Sequence, residues 1–192
     1  IGYYTERLKA LAGLAKTKTV KPLYAFLAND KAHVDHAWDL ALQRRDYAAL
    51  LAQQESLWCW DNGGGLAMNV IARCIHAEQV IRADDTVPSA LRAMLLASIA
   101  VNLSHLGQYA DAAEHAGRAL LAARSARHLE SVDVAQETLF SIAAFQRNFK
   151  EAERLLARQE TLLQRTEAAP ALFRLSDCRA RLSGRRGDLE AR

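Results

Sequence analysis

The turn Gly107-Gln108-Tyr109-Ala110-Asp111-Ala112 returns 40 positions later as Arg147-Asn148-Phe149-Lys150-Glu151-Ala152, and Gly187-Asp188-Leu189 stands another 40 positions on. A period of this length constrains the fold more than any single motif, because a unit too small to bury both of its faces has to stack on its neighbours. Ahead of the first turn Leu96, Ile99, Ala100, Leu103 and Leu106 recur at steps of three and four residues. Leu139, Phe140, Ala143 and Phe145 take similar places before the second turn, and Ala152, Leu155, Leu156 and Leu163 follow it. That spacing is the stripe of an amphipathic helix, so each unit reads helix, turn, helix. Composition agrees: glycine (9) and proline (3) are scarce, and alanine, leucine, arginine and glutamate, which lose least on entering a helix, dominate. The expected fold is all-α, a stack of antiparallel helix pairs with about nine helices and no strands.

Between the two helices of the best unit, Ala112, Ala116 and Ala119 fall in one row. Small side chains there let two backbones approach closely, where a larger group would hold them apart or leave voids. Tyr109 is expected to fill the wedge beside that row.

These residues resemble the tetratricopeptide repeat, matched here by Ala100, Gly107, Tyr109, Ala112, Ala116 and Ala119, and in the next unit by Phe149 and Ala152. The second unit carries Arg147 in place of the turn glycine and Gln159 where alanine is usual. The spacing also exceeds the family's period of about 34 residues, so the helices or loops are longer. The resemblance implies a right-handed superhelical α-solenoid that binds partners along a concave groove lined by the first helix of each pair. Carried onto this chain, the groove would include Met94, Ala97, Val101, Ser104 and His105, then Val134, Glu137, Ser141, Ala144 and Phe145, then Arg174, Asp177, Arg181 and Arg185.

The units are placed at 32–58, 89–127, 129–166 and 170–192, the last truncated, with an additional helix over 66–83 carrying Met68, Ile71, Ile75 and Val80 near one face. Residues 1–31 read as short N-terminal helices, Tyr3 to Ala15 and Pro22 to Asn29. His33 to Arg44, with Trp38, Leu40 and Leu42 inside, then pairs with Tyr47 to Leu57 across a turn at Asp46. The run Asp61-Asn62-Gly63-Gly64-Gly65 breaks the pattern, and Asp85 to Pro88 ends the additional helix, since a residue before proline leaves the α region.

No motif supplies catalysis. No nucleophile has a base at a recognisable spacing, and Gly63-Gly64-Gly65 lacks the lysine and Ser/Thr of a P-loop. His33 and His36 sit one turn apart without an assignable third ligand, so no metal and no cofactor are expected. Cys59, Cys74 and Cys178 are odd in number and widely spaced, which argues against a disulfide framework and fits a reducing cytoplasm. Trp58 and Trp60 are read as plugs at a helix junction, with partner anchoring as the alternative. The longest apolar stretch, Met94 to Val101, is too short to span a bilayer.

The net charge of +3 is concentrated after residue 169, where six arginines face three acidic residues. The leading expectation is a non-enzymatic interaction or effector-sensing domain cut from a larger bacterial regulator. The 40-residue period makes the chain similar to the helical sensor region of MalT-type, LuxR-family transcription regulators. The groove would then hold a peptide segment or a small effector. The alternative is a nucleic-acid-binding stack that uses the basic C-terminal end.

Overall fold

The computed structural model describes residues 1–17, 19, 21–63, 67–163, 178–180 and 182–184. Among them every regular element is helical: α1 (Gly2–Thr17), α2 (Lys21–Gln43), α3 (Tyr47–Gly63), α4 (Ala67–Ile81), α5 (Ser89–His105), α6 (Tyr109–Ala126), α7 (Leu129–Phe145) and α8 (Phe149–Leu163). Residues 178–180 and 182–184 are helical as well. The expected all-α stack is what the chain adopts.

Consecutive helices form hairpins closed by one turn geometry used four times. At Gly107 the amide of Gln108 donates to the Leu103 carbonyl at 3.0 Å and the amide of Gly107 to that of Ser104 at 3.1 Å. This is the Schellman cap, which satisfies the last carbonyls of a helix and needs a left-handed residue at its bend. Arg45, Arg127 and Arg147 hold the same bend at φ 54°, 54° and 60°, against 77° for Gly107. The missing glycine of the second unit therefore does not change the turn; Arg147 adopts the strained angle.

The alanine row lies where expected: Ala112, Ala116, Ala119 and also Ala123 are fully buried on α6. Tyr109 stacks on Phe145 of the next hairpin, ring centroids 5.8 Å apart. Gln159 departs from the small-residue pattern for a visible reason. It is fully buried, and its amide donates to Asp133 Oδ1 of α7 at 2.7 Å.

The odd helices pack in series, α1 on α3, α3 on α5 and α5 on α7; α2 packs on α1 and α3, α6 on α5 and α7, α4 on α5 and α8 on α7. α5 is central, burying eleven of its residues against α3, α4, α6 and α7. The joint between the early and late hairpins is polar. Arg92 of α5 donates to the carbonyls of Ile81, Arg82 and Asp84 at the end of α4, and the Tyr47 hydroxyl donates to Asp84 Oδ2 at 2.5 Å.

Three local expectations are corrected. Residues 22–29 and 33–43 belong to one helix, α2, which ends one residue before the expected Arg44, so no break separates an N-terminal pair from the first unit; nothing between Asn29 and His33 is a helix breaker. α3 continues through Asp61 to Gly63 rather than ending at Leu57. On α4 the buried face is Val70, Ile71, Cys74, Ala77, Glu78 and Ile81, while Met68 and Val80 are exposed. One helix turn spans 3.6 residues, so these two lie on the far side of the true stripe.

Candidate ligand cleft between the second and fourth helices

Of the groove residues read from the sequence, Met94 is fully buried in a cluster with Trp58, Ala97 and Ala116 and cannot line a groove. The error is one of helix face: α5 is covered on nearly every side, and Met94 falls toward α6. Ala97, Val134 and Ala144 are buried with it. Val101, Ser104, Glu137 and Ser141 are half-buried, and His105 and Phe145 are exposed. Arg174, Asp177, Arg181 and Arg185 lie outside the described residues. Trp58 is buried, and Trp60 is half-buried with Tyr24 edge-on at 5.0 Å; both occupy a helix junction. Gly64 and Gly65 also lie outside the described residues, and no cluster suited to a metal ion is present among those described.

The chemistry the sequence did not announce is on α2, α3 and α4. Arg73 stands on the inner face of α4, three residues from Val70 and four from Ala77, where an apolar side chain would be the default. Its Nη2 donates to Asp61 Oδ2 at 2.5 Å, and its guanidinium carbon lies 5.0 Å from the ring centroid of Trp38 on α2. Cation–π contact and ion pair together hold the charge. Asp61 also accepts from Gln54 Nε2 at 3.0 Å, and Gln54 Nε2 reaches Ser98 Oγ of α5 at 3.2 Å. Asn102 of α5 donates to the Asp61 carbonyl at 3.0 Å and to the Ser98 carbonyl at 2.9 Å. One network thus joins four helices around a carboxylate with 0% side-chain exposure.

Burial drives the Asp61 carboxyl upward, opposed by the Arg73 guanidinium and the Gln54 amide. Burial also works against the Arg73 charge, but the Asp61 carboxylate outweighs it and the guanidinium stays protonated. The neighbouring Cys74 thiol is pushed up to about 12 by burial, so it is a packing group rather than a nucleophile. Trp38 Nε1, Gln53 Oε1 and Nε2, Gln54 Oε1, Asp61 Oδ1 and Arg73 Nε are buried without a hydrogen-bond partner among the described residues. Each such atom costs about 1–3 kcal/mol.

Above this network a cleft of about 440 Å³ opens between α2 and α4, with Trp38 and Arg73 at its base and Trp60 in its wall. Lys31, Asp35 and Asp39 line the α2 side, and Asn69 and His76 the α4 side. Lys31 is tied to Asp35 at 2.5 Å. The lining sets Lys31 and Arg73 against Asp35 and Asp39; with Lys31 bonded to Asp35 and Arg73 to the buried Asp61, Asp39 is the lining carboxylate that has no ion pair with a described residue. Its surface therefore combines indole rings with a carboxylate, a pairing that suits an organic cation.

Among the described residues no helix is long and apolar enough to cross a membrane. No protein-family model, no curated protein and no solved structure matches the chain.

Proposed function

We propose that the chain is a non-enzymatic sensing domain: a tetratricopeptide-like stack, curved toward its odd helices, that takes a small organic cation in the α2–α4 cleft. The observation that carries this reading is the lining itself, the indole rings of Trp38 and Trp60 beside the Asp39 carboxylate, over a buried network that leaves polar atoms of Trp38, Gln53, Gln54, Asp61 and Arg73 without a partner among the described residues. Natural chains keep such groups where something other than stability is served. Binding rather than catalysis is favoured because the charged groups of the cleft are largely matched to one another: Arg73 with Asp61, and Lys31 with Asp35.

The route from cleft to stack is short. A ligand leaning on Arg73 or Trp38 shifts Asp61, and Asp61 is hydrogen-bonded through its backbone to Asn102 in the central helix α5. A cytoplasmic bacterial regulator of the MalT type is the setting in which such a domain would pass the change to an output domain.

The test is calorimetric titration of the chain with small arylalkylamines, such as phenethylamine and tryptamine, and with carboxylates of matched size. Binding of amines alone, abolished by Trp60→Ala and weakened by Asp39→Asn, is the expected result. Equal binding of the acids, or affinity unchanged in both variants, would rule the reading out.

A further inference from the structure

A second open surface lies on the other half of the stack, between α6 and α8. Its floor is a line along α7 and its C-cap, Leu129, Val132, Gln136, Leu139, Ala143 and Gln146, spaced alternately three and four apart; Val132, Gln136 and Ala143 are buried at its bottom, Leu139 is half-buried, and Leu129 and Gln146 are exposed at its ends. Two hollows of about 220 and 610 Å³ open along this line and share Arg124, Gln136 and Arg158. Val132 lines the larger, and Leu139 the smaller.

The rims carry charge of one sign. Arg124 and Arg127 stand on the α6 side and Arg154 and Arg158 on the α8 side, against one lining carboxylate, Glu151. Glu151 is held by Arg154 in a bidentate pair, which lowers the Glu151 pKa. Arg124, Arg127 and Arg158 are exposed and form no ion pair with a described residue. Leu129, 48% exposed, adds an apolar patch at one end.

Apolar floor and cationic rims together specify an occupant with the inverse pattern. Val132 in the lining of the larger hollow and Leu139 in that of the smaller are seven residues apart in α7, about 10 Å along its axis. A helix laid along the trough offers side chains at that interval on one face, at i and i+7. An extended segment does not: its same-face residues fall at about 7 and 13 Å, and the one at about 10 Å points the other way.

We propose that the α6–α8 trough docks an acidic amphipathic helix of a partner protein, with two apolar side chains seven residues apart entering the hollows and carboxylates meeting Arg124, Arg127 and Arg158. This is the helix-in-groove mode of recognition, with charge complementarity setting orientation and salt dependence. It stands independently of the α2–α4 cleft, from which it shares no residue.

The experiment is fluorescence anisotropy with the full chain and a labelled 17-residue probe, matched to the length of α7, with glutamates on one face and leucines at i and i+7. Three comparison probes separate the terms: the same peptide with alanine for both leucines, one with lysine for every glutamate, and a single-stranded oligodeoxynucleotide. The acidic leucine peptide is expected to bind, more weakly as salt rises, with affinity falling about tenfold or more when the leucines are removed or when Arg124→Glu and Arg158→Glu are combined. Both arginines are exposed, so the variant should keep its circular-dichroism melt; Leu129→Glu, on a residue that is also exposed, gives a second variant that should weaken binding. The proposal is overturned if the acidic peptide shows no binding at ~1 mM. It is equally overturned if the alanine or lysine peptide binds as well, if the oligonucleotide binds as tightly as the peptide, or if the charge-reversed chain keeps full affinity.

Discussion

Arg73 donates to Asp61 at 2.5 Å while lying over the ring of Trp38, so a guanidinium from α4 is held between a carboxylate on α3 and an indole on α2. Breaking such a buried pair from one side strands the other charge. Asp61→Ala is expected to cost about 3–5 kcal/mol in urea denaturation, with the slope unchanged. Replacing both partners, Asp61→Asn with Arg73→Met, should recover much of that loss. A double variant as unstable as Asp61→Ala would show that the pair is worth more than its desolvation.

The buried alanine row sets the approach of α6 to its neighbours. Ala116 has no exposed surface, and its cluster includes Met94, Ala97 and Ala119. Ala116→Leu adds three carbons where there is no room, and a loss of about 1–3 kcal/mol or more is expected. Thermal unfolding measures it. A stability within the error of the parent would mean that α6 can move outward at little cost.

The four caps differ in strain though not in geometry. An L-residue in the left-handed region costs about 1–2 kcal/mol relative to glycine. Arg147→Gly, with φ 60° at that position, should therefore raise stability by a few tenths to about 1 kcal/mol, offset in part by the greater freedom of glycine in the unfolded chain. Gly107→Ala should lower it by a similar amount. No neighbour lies within 4 Å of a Cβ built at Gly107, so the angle alone decides the effect. Opposite signs for the two substitutions are the diagnostic.

Asp84 ties the α2–α3 turn to the end of α4, and its pH dependence follows from its donors. The Thr86 hydroxyl, then the Tyr47 phenol and the Thr86 amide, hold the Asp84 carboxyl down at about 2. The unfolded value is near 3.9, so the folded state prefers the ionised form; the contribution is complete above about pH 5 and is lost as pH falls toward about 2. Asp84→Asn should melt lower than the parent near neutrality, and the gap should close in acid. A gap that persists at about pH 2 would assign the effect to shape rather than charge.

Gln159 is a polar side chain fully buried on α8. Because it donates to buried Asp133, Gln159→Ala is expected to destabilise by about 1.5–3 kcal/mol, although alanine is the better helix former. A neutral or stabilising change, read from equilibrium unfolding, would mean that the hydrogen bond is replaced when it is removed.

Much of the stack was legible in the chain because its signals are local. The 40-residue turn spacing, the three-and-four steps of Leu96, Ile99 and Leu103, and the row Ala112, Ala116, Ala119 each depend on neighbours within one hairpin, where helix geometry alone fixes which residues share a face. Legibility fell where a helix has neighbours on several sides. Met94 sits on a stripe that the repeat pattern assigns to the groove, yet α5 is enclosed by α3, α4, α6 and α7, and that face is core.

The cleft was hidden for a related reason. Asp61 opens a glycine-rich run that reads as a loop, and Trp38 reads as ordinary core. Only Arg73, a charge on the inner stripe of a helix, carried a signal, and it needed the true face of α4 to be noticed. Periodicity along the chain determined that helices form, where they turn and which small residues let them touch, since those are questions of backbone geometry within about 20 residues. The tertiary structure alone decided that Asp61, Arg73 and Trp38 meet and that two hollows open along α7 between α6 and α8, because hydrophobic burial has no direction and does not say which neighbour covers a given face.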